Sequence, residues 1–359
     1  MLKDGHSVKD LERRAEGVLR ALLMQVPAIH LENIEHPEPN DDGVDLRARL
    51  SVAGRPHVLI CEVKGNGQPR FVRMSSLQLR HAIAHSESGA TPLLIAPYLS
   101  VEAQKICRDQ GIGYLDFEGN ARLAFDSVFV ERVMTTKPAT VRRELKSMFK
   151  PKAAQVLRTM LRDPKRVWRI TELATAAKVS MGHISNVRAA LLDHEWVRID
   201  PAGMSLTDPK ALLDAWRDAY EPPRGERLTF YTTLHGTGFD AAVRPVLGTA
   251  EEGGTIVLAS FSAAQWFAPY ARTGTHYLYV DDSGLNKLQQ ALSLSSAAKG
   301  ENVVVTRLSD RGPFLDAITP APGIACTSPI QTYLDLTAAG ERGREAADYL
   351  RQEKIRWAP

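Results

Sequence analysis

Val179-Ser180-Met181-Gly182-His183-Ile184-Ser185-Asn186-Val187 is the stretch on which the reading of this chain turns. Ser180 is a residue type that caps helices, its hydroxyl accepting from a backbone N–H two or three positions on. From there Ile184, Val187 and Leu191 recur at helical spacing and predict one buried face. The same spacing turns Met181, His183, Asn186 and Arg188 outward near the helix N-terminus. Lys178 and Val179 make the turn before it. Upstream, Thr171 is expected to cap a helix over 172–177, and Ala154, Leu157 and Leu161 give a buried face to a helix over 153–161. Downstream, Trp196–Ile199 and Met204–Thr207 flank Asp200-Pro201-Ala202-Gly203, a turn composition that reads as a β-hairpin.

Helix, helix, turn, helix, hairpin is the winged-helix order. Over roughly 60 residues it resembles the winged helix-turn-helix domains of bacterial transcriptional regulators, with 179–187 matching their recognition-helix pattern. The resemblance implies a helix that enters a DNA major groove by its N-terminal end. There Asn186 can pair with adenine through both amide groups, Ser180 and the helix N-terminus can hold a phosphate, and Met181, His183 and Arg188 lie beside them. Arg198 on the hairpin, with Lys165, Arg166 and Arg169 before the second helix, would meet the backbone. Double-stranded DNA is the expected partner; the alternative is a winged helix used for protein contact.

The charge distribution supports the first of these. The net charge of the 359 residues is only +3, yet between Lys137 and Arg169 eleven basic residues face two acids, Glu144 and Asp163. Lys137, Arg142, Arg143, Lys146, Lys150 and Lys152 open the run, and Arg158, Arg162, Lys165, Arg166 and Arg169 complete it. A concentrated basic segment in an otherwise acidic chain points to a polyanion, nucleic acid ahead of membrane. A solvated linker is the plainer alternative. With 44% hydrophobic and 24% charged residues the composition is that of a globular protein of roughly two to three domains. No apolar run approaches the ~20 residues that cross a bilayer, and Met1–Asp10 lacks the basic-then-apolar order of a secretory signal. Cys61, Cys107 and Cys326 stand far apart without a CxxC pair, so neither a disulfide framework nor a zinc ribbon is indicated. The cytoplasm is the expected location, with no membrane partner.

The fold class expected is a multidomain α/β protein: an α/β domain over 1–135, a basic linker over 136–150, the winged helix over 151–222, and a second α/β domain over 226–359. The linker signal between the last two is Glu221-Pro222-Pro223-Arg224-Gly225. In the first block Ser7 can cap a helix that Pro27 closes. Strands are expected over Val44–Val52, His57–Lys64 and Pro92–Pro97, with helices over Met74–His85 and from Ser100 to Gly111.

Asp45 lies on the first of those strands, and Glu62-Val63-Lys64 ends the second. Period-two alternation puts Glu62 and Lys64 on one strand face. This set resembles the PD-(D/E)xK restriction-endonuclease-like superfamily, Asp45 matching its first acid and Glu62 and Lys64 its ExK pair; Asp41 to Asp45 also looks like the D-x-G-x-D variant. The resemblance implies Mg²⁺ held by Asp45 and Glu62, Lys64 orienting or helping to deprotonate a water, and Gln78 on the following helix supporting the site. Glu16 on the first helix is a further candidate. Arg47 and Arg49 share the Asp45 face, so the plainer reading is carboxylates neutralised in salt bridges on a nuclease-like fold kept for binding or structure.

In the third block strands are expected over Leu228–Leu234, Thr255–Ala259, Thr275–Val280 and Asn302–Leu308, with closing helices over Pro329–Ala339 and Gly343–Lys354. His235-Gly236-Thr237-Gly238 reads as a glycine turn before a phosphate site, and Asp281-Asp282 as a turn before a metal pair. Tyr333, Leu336 and Tyr349 are expected as contacts between the last two helices. Two stretches, Gly111–Ala121 and Ser328–Leu336 with Arg342–Ala347 after it, are similar to the AbiEi family of AbiE-type antitoxin regulators. In this chain the winged domain is central rather than N-terminal, as in a longer relative. The resemblance implies repression of a toxin–antitoxin operon and a neighbouring toxin gene product as partner. A regulator of this kind needs no cofactor. A homodimer is expected from the habit of winged-helix regulators on palindromic sites, although no heptad marks a dimer helix. The leading expectation is therefore a sequence-specific DNA-binding regulator, antitoxin-like; the second is a Mg²⁺-dependent DNA endonuclease targeted by its winged helix.

Overall fold

Along Leu46–Val52 buried and half-buried side chains alternate residue by residue, which seats this strand inside a sheet with one face packed deeper than the other. In the computed structural model, which describes residues 8–37, 44–86, 89–134, 137–250, 254–270, 273–297 and 299–357, the chain divides into two units. One comprises residues 1–143 with 191–195, the other 144–190 with 196–359. Ser7 and Asp41–Gly43, named above, lie outside the described residues.

The first unit runs α1 (Val8–Leu23), β1 (Ile29–Glu35), β2 (Leu46–Val52), β3 (Arg55–Val63), α2 (Pro69–Ala84), β4 (Thr91–Ala96), α3 (Val101–Asp109), β5 (Gly113–Asp116), β6 (Ala121–Phe125) and β7 (Val128–Arg132). Its seven strands lie side by side in chain order. The β3–β4 and β4–β5 pairs are parallel and the rest antiparallel, because α2 and α3 are the crossovers that parallel neighbours require. One sheet face packs against α1 through Leu19, Leu46, Leu50 and Cys61. The other packs against α2 and α3 through Ile60, Leu79, Leu94 and Ile106.

Sequence patterning misses β1. Its register slips between Leu31 and Asn33, and that bulge breaks the period-two signal. The expected start of α2 at Met74 is also late. Pro69 occupies the first helical turn after Gln68, where proline's missing N–H costs nothing. Ser100 does cap α3, accepting from Ala103 N at 3.1 Å, and Gly111 leaves it at a φ of 68°.

The basic segment between the blocks is not featureless: it carries α4 (Ala139–Met148). There follow α5 (Pro151–Arg162), α6 (Ile170–Ala176), α7 (Met181–Asp193), the hairpin β8 (Val197–Asp200) and β9 (Gly203–Leu206), and α8 (Pro209–Asp218). Helix α6 begins at Ile170, so Thr171 sits inside it and is not its cap. Trp168 explains the shift: it exchanges backbone hydrogen bonds with Met204 at 2.8 and 2.9 Å, holding the chain extended against the hairpin until Arg169.

The rest of the second unit contains β10 (Gly225–Tyr231), α9 (Thr237–Val243), β11 (Gly248–Ala250), β12 (Gly254–Leu258), α10 (Ser260–Phe267), β13 (His276–Val280), α11 (Asp282–Ala291), β14 (Ser295–Ser296), β15 (Val303–Leu308), α12 (Gly312–Leu315), β16 (Ile318–Ala321), β17 (Ile324–Cys326), α13 (Pro329–Thr337) and α14 (Gly340–Lys354). The strands form one mixed sheet in the order β14-β10-β15-β13-β12-β17-β16, with β11 on β12. The molecule is thus mixed α/β with several sheets. Tyr333 and Leu336 are fully buried, but Tyr349 is 36% exposed and lies on Tyr270, ring centroids 5.4 Å apart, rather than between the closing helices. Among the described residues no helix is long and apolar enough to cross a membrane.

Candidate nucleic-acid interface

Helix α7 separates its faces cleanly. Ile184, Val187 and Leu191 are 0–5% exposed, whereas Met181 is 58% exposed and Gly182, His183, Ser185 and Asn186 are open to solvent. Arg188 is half-buried. Ser180 precedes the helix and its Oγ accepts from His183 N at 3.4 Å, so the capping residue and the outward side chains gather at one helix end. An open hollow of about 630 Å³ lies there, lined by Lys152, Thr175, Lys178, Ser180, Met181 and His183. Lys152 and Lys178 are additions to the sequence-derived set. The signal for Lys178 was its place in the turn; it takes a φ of 51°, unusual for a residue with a side chain.

The flanking cations fall into two groups. Lys165, Arg166, Arg169 and Arg198 are exposed. The Arg166 guanidinium stacks 3.8 Å from the centre of the Trp168 ring, and Arg198 Nε donates to Ser205 Oγ at 3.2 Å across the hairpin. The Trp168–Met204 exchange places Arg166 and Arg169 alongside the hairpin strand.

Arg158 belongs elsewhere. Helix α5 is buried on every side over Ala153–Leu161, not on one face only. The Arg158 guanidinium is buried in an ion pair with Asp316 at 3.1 Å and donates to Gln331 Oε1 at 3.0 Å. It contributes no surface charge, and the basic run is shorter in space than in sequence.

The carboxylate set of the first unit does come together. Asp45 N donates to Cys61 O, which brings Asp45 beside the end of β3, and Asp45 Oδ2 accepts from Val63 N at 2.6 Å. Glu62 is 2% exposed and ion-paired with Lys64, whose side chain is 31% exposed. Burial pushes the Glu62 carboxyl up from its ordinary range, Lys64 pulls it back, and the Asp45 charge raises it further. Each carboxylate is engaged through one oxygen in these contacts, and as oxygen donors Asp45 and Glu62 are the pair that could hold a hard cation. Among the described residues no group of three or more His, Cys, Asp or Glu side chains could hold a metal. Gln78 is exposed on α2, away from that helix's buried row of Val72, Ser75, Ser76 and Leu79. Glu16 is taken by Arg20 at 2.9 Å and His36 at 3.0 Å.

The remaining motifs have structural work. Asp116 accepts from the backbones of Leu99, Glu118 and Asn120 and from the Asn120 amide, so Gly111–Ala121 is a turn organised by one buried acid. Asp281 accepts from Thr255 N and Gly284 N, both at 2.9 Å, and caps α11. Ser328 caps α13 through Gln331 N and donates to Asp316 at 2.6 Å. A side chain at Gly343 would meet Leu336 O at 2.3 Å, so the glycine is what lets α13 and α14 cross closely.

Residues 205–356 match the family model described as a transcriptional regulator, the AbiEi antitoxin of a type IV toxin–antitoxin system. The match spans rather less than half of the chain. It takes in the end of the hairpin, α8, the whole second sheet and the Ser328–Ala347 stretch, and leaves out Gly111–Ala121, α5–α7 and the first unit. It points to a regulator of the toxin–antitoxin class. No curated protein and no solved structure matches the chain.

Proposed function

We propose that this protein is a sequence-specific DNA-binding transcriptional regulator, an antitoxin-like repressor of a toxin–antitoxin operon, with α5–α7 and the β8–β9 hairpin acting as a winged helix-turn-helix. The carrying observation is the division of α7, apolar side inward and Met181, His183 and Asn186 outward at its capped end. Asn186 reads a base, Ser180 and Arg188 sit at the groove, and Lys165, Arg166, Arg169 and Arg198 hold phosphates beside the hairpin. The family match over 205–356 supports the regulatory role and suggests a neighbouring toxin gene product as the counterpart of the system. Replacing Asn186 with Ala is expected to weaken a selected operator by ~1–3 kcal/mol. Neutralising Lys165 and Arg166 lowers affinity for all sequences and flattens the salt dependence. Equal binding by the parent and both variants in a titrated gel shift would remove the proposal.

A second reading rests on the cluster of Asp45, Glu62 and Lys64. In it the first unit is a restriction-endonuclease-like domain in which Asp45 and Glu62 hold Mg²⁺, Lys64 positions a water, and Gln78 supports the site. The metal, when bound, supplies positive charge for a phosphodiester undergoing cleavage. This reading expects Mg²⁺-dependent nicking of plasmid DNA that disappears in Lys64→Ala; a parent protein that leaves plasmid intact across a Mg²⁺ series rules it out.

A further inference from the structure

The first sheet ends in two strands of different character. At one edge β1 is bulged between Leu31 and Asn33 and shows solvent His30, Glu32 and Asn33, the bulge and charge by which an edge resists further pairing. At the other edge β7 runs against β6 without a slip, from Phe125 opposite Val128 to Ala121 opposite Arg132. It leaves Phe129 62%, Val133 65% and Met134 50% exposed. Ala124, across from Phe129 on β6, is exposed too, so this part of one sheet face is uncovered.

The backbone of β7 is as open as its side chains. Asp126 and Ser127 form a two-residue turn, Asp126 at a φ of 46°, so the flanking Phe125 and Val128 make a hydrogen-bonded pair. Alternation then turns the N–H and C=O of Val128, Val130 and Arg132 toward β6, and those of Phe129 and Glu131 away from it. Among the described residues no strand lies on that side.

A second copy of the chain fits this edge. In a two-fold antiparallel pair, opposed residues share a sheet face, so the axis passes through a residue. An axis at Glu131 sets two like charges against each other, and one at Phe129 pairs only Val128–Val130 of the strand. An axis at Val130 pairs the whole of Val128–Arg132. Phe129 then opposes Glu131 of the second copy, and the outward N–H and C=O of each meet their mates. Phe129 also lies diagonal to Phe129 and Val133 of the second copy, and Arg132 to its Asp126, within the ~7–8 Å that such neighbours span. In its own chain Arg132 donates to Gln25 and Asp126 faces His57 at 3.3 Å. The two Glu131 carboxylates are diagonal as well, each held by its own Arg122 at 3.3 Å.

We propose that β7 is a dimer edge: two copies of this chain pair β7 with β7, antiparallel about Val130, into one continuous sheet. The pairing rests on the first sheet alone and holds whether or not α7 reads DNA. It brings two α7 helices into one particle, the stoichiometry of a palindromic operator. The test is sedimentation velocity of the full chain in a dilution series, where the concentrated end should show twice the chain mass. Phe129→Lys puts a charge on the open edge and should raise the dimer dissociation constant roughly tenfold. Glu32→Lys, on the bulged β1 edge, should leave it at the parent's value. A chain that is monomeric at every concentration overturns the proposal. So does a dimer that Phe129→Lys, with the parent's melting temperature, fails to loosen, or one that Glu32→Lys loosens equally. A mass that grows past two chains also overturns it, being the mark of a head-to-tail contact. Should Phe129→Lys fail to fold, Val130→Cys decides. Opposed Cα atoms of a non-hydrogen-bonded pair stand ~4.5 Å apart, within disulfide reach, and the native Cys61, Cys107 and Cys326 are buried. Mild oxidation should link this variant into a dimer that reductant releases; a variant that stays single overturns the pairing.

Discussion

Glu62 in the first unit and Asp335 in the second are both buried carboxylates, 2% and 7% exposed, and burial pushes both upward. Their surroundings differ. Glu62 sits at a strand end and is ion-paired with Lys64, which directly follows that strand and lies partly in solvent. Asp335 is enclosed: the Tyr220 hydroxyl and Gln331 Nε2 donate to its Oδ1, and Tyr279 and Arg158 face it from β13 and α5. Its carboxyl is pushed up to about 6, with burial the largest cause. The contrast separates a carboxylate open to exchange its partner from one fixed by groups drawn from distant parts of the chain. The first arrangement suits a site, the second a joint between the helical block and the family-matched sheet.

The largest break in that contrast is expected from Arg158→Ala. It strands Asp316 and Asp335 without their buried cation and should cost about 3–5 kcal/mol by urea unfolding. A loss under 1 kcal/mol would show that the joint is wet and adaptable. Next comes the pH response of Asp335. Its folded value lies above the ordinary 3.8, so the native state holds the proton more tightly than the unfolded chain does. The stability that Asp335 contributes is therefore fully present below that ordinary value and is lost as pH rises to about 6, an amount on the order of 3 kcal/mol. Asp335→Asn should flatten this stretch of the stability–pH curve; a curve of unchanged shape would assign the response to another group. The smallest effect belongs to Glu62→Gln. Lys64 can turn to water when its partner is gone, so stability should stay within about 1 kcal/mol of the parent. A loss as large as that of Arg158→Ala would erase the distinction.

What the sequence reveals follows the same divide. The two faces of α7 are legible because one helix meets one core, and periodicity reports a single buried side. The strands of the first sheet that alternate or run apolar are legible too, and so is the adjacency of Asp45 with Glu62 and Lys64, since both rest on period two and a short turn. Helix α5 is misread because it packs on more than one side; Arg158 then looks like one more cation in a basic run. The strands β11, β14, β16 and β17, of two to four residues, are too short to show any period. Tyr349 follows the helical pattern yet packs outward, since its partner Tyr270 lies far away in sequence.

The joint also bears on how the protein can be divided for study. The family-matched segment opens at Ser205, inside the second strand of the hairpin, where Ser205 pairs with Arg198 and Leu206 with Val197. Trp216 on α8 stacks on Phe149, ring centroids 5.5 Å apart. A fragment trimmed to the family boundary would carry an orphan strand, a bare tryptophan and an aspartate pair stripped of its arginine. Such a piece invites aggregation, and an expressible one has to start upstream of Phe149.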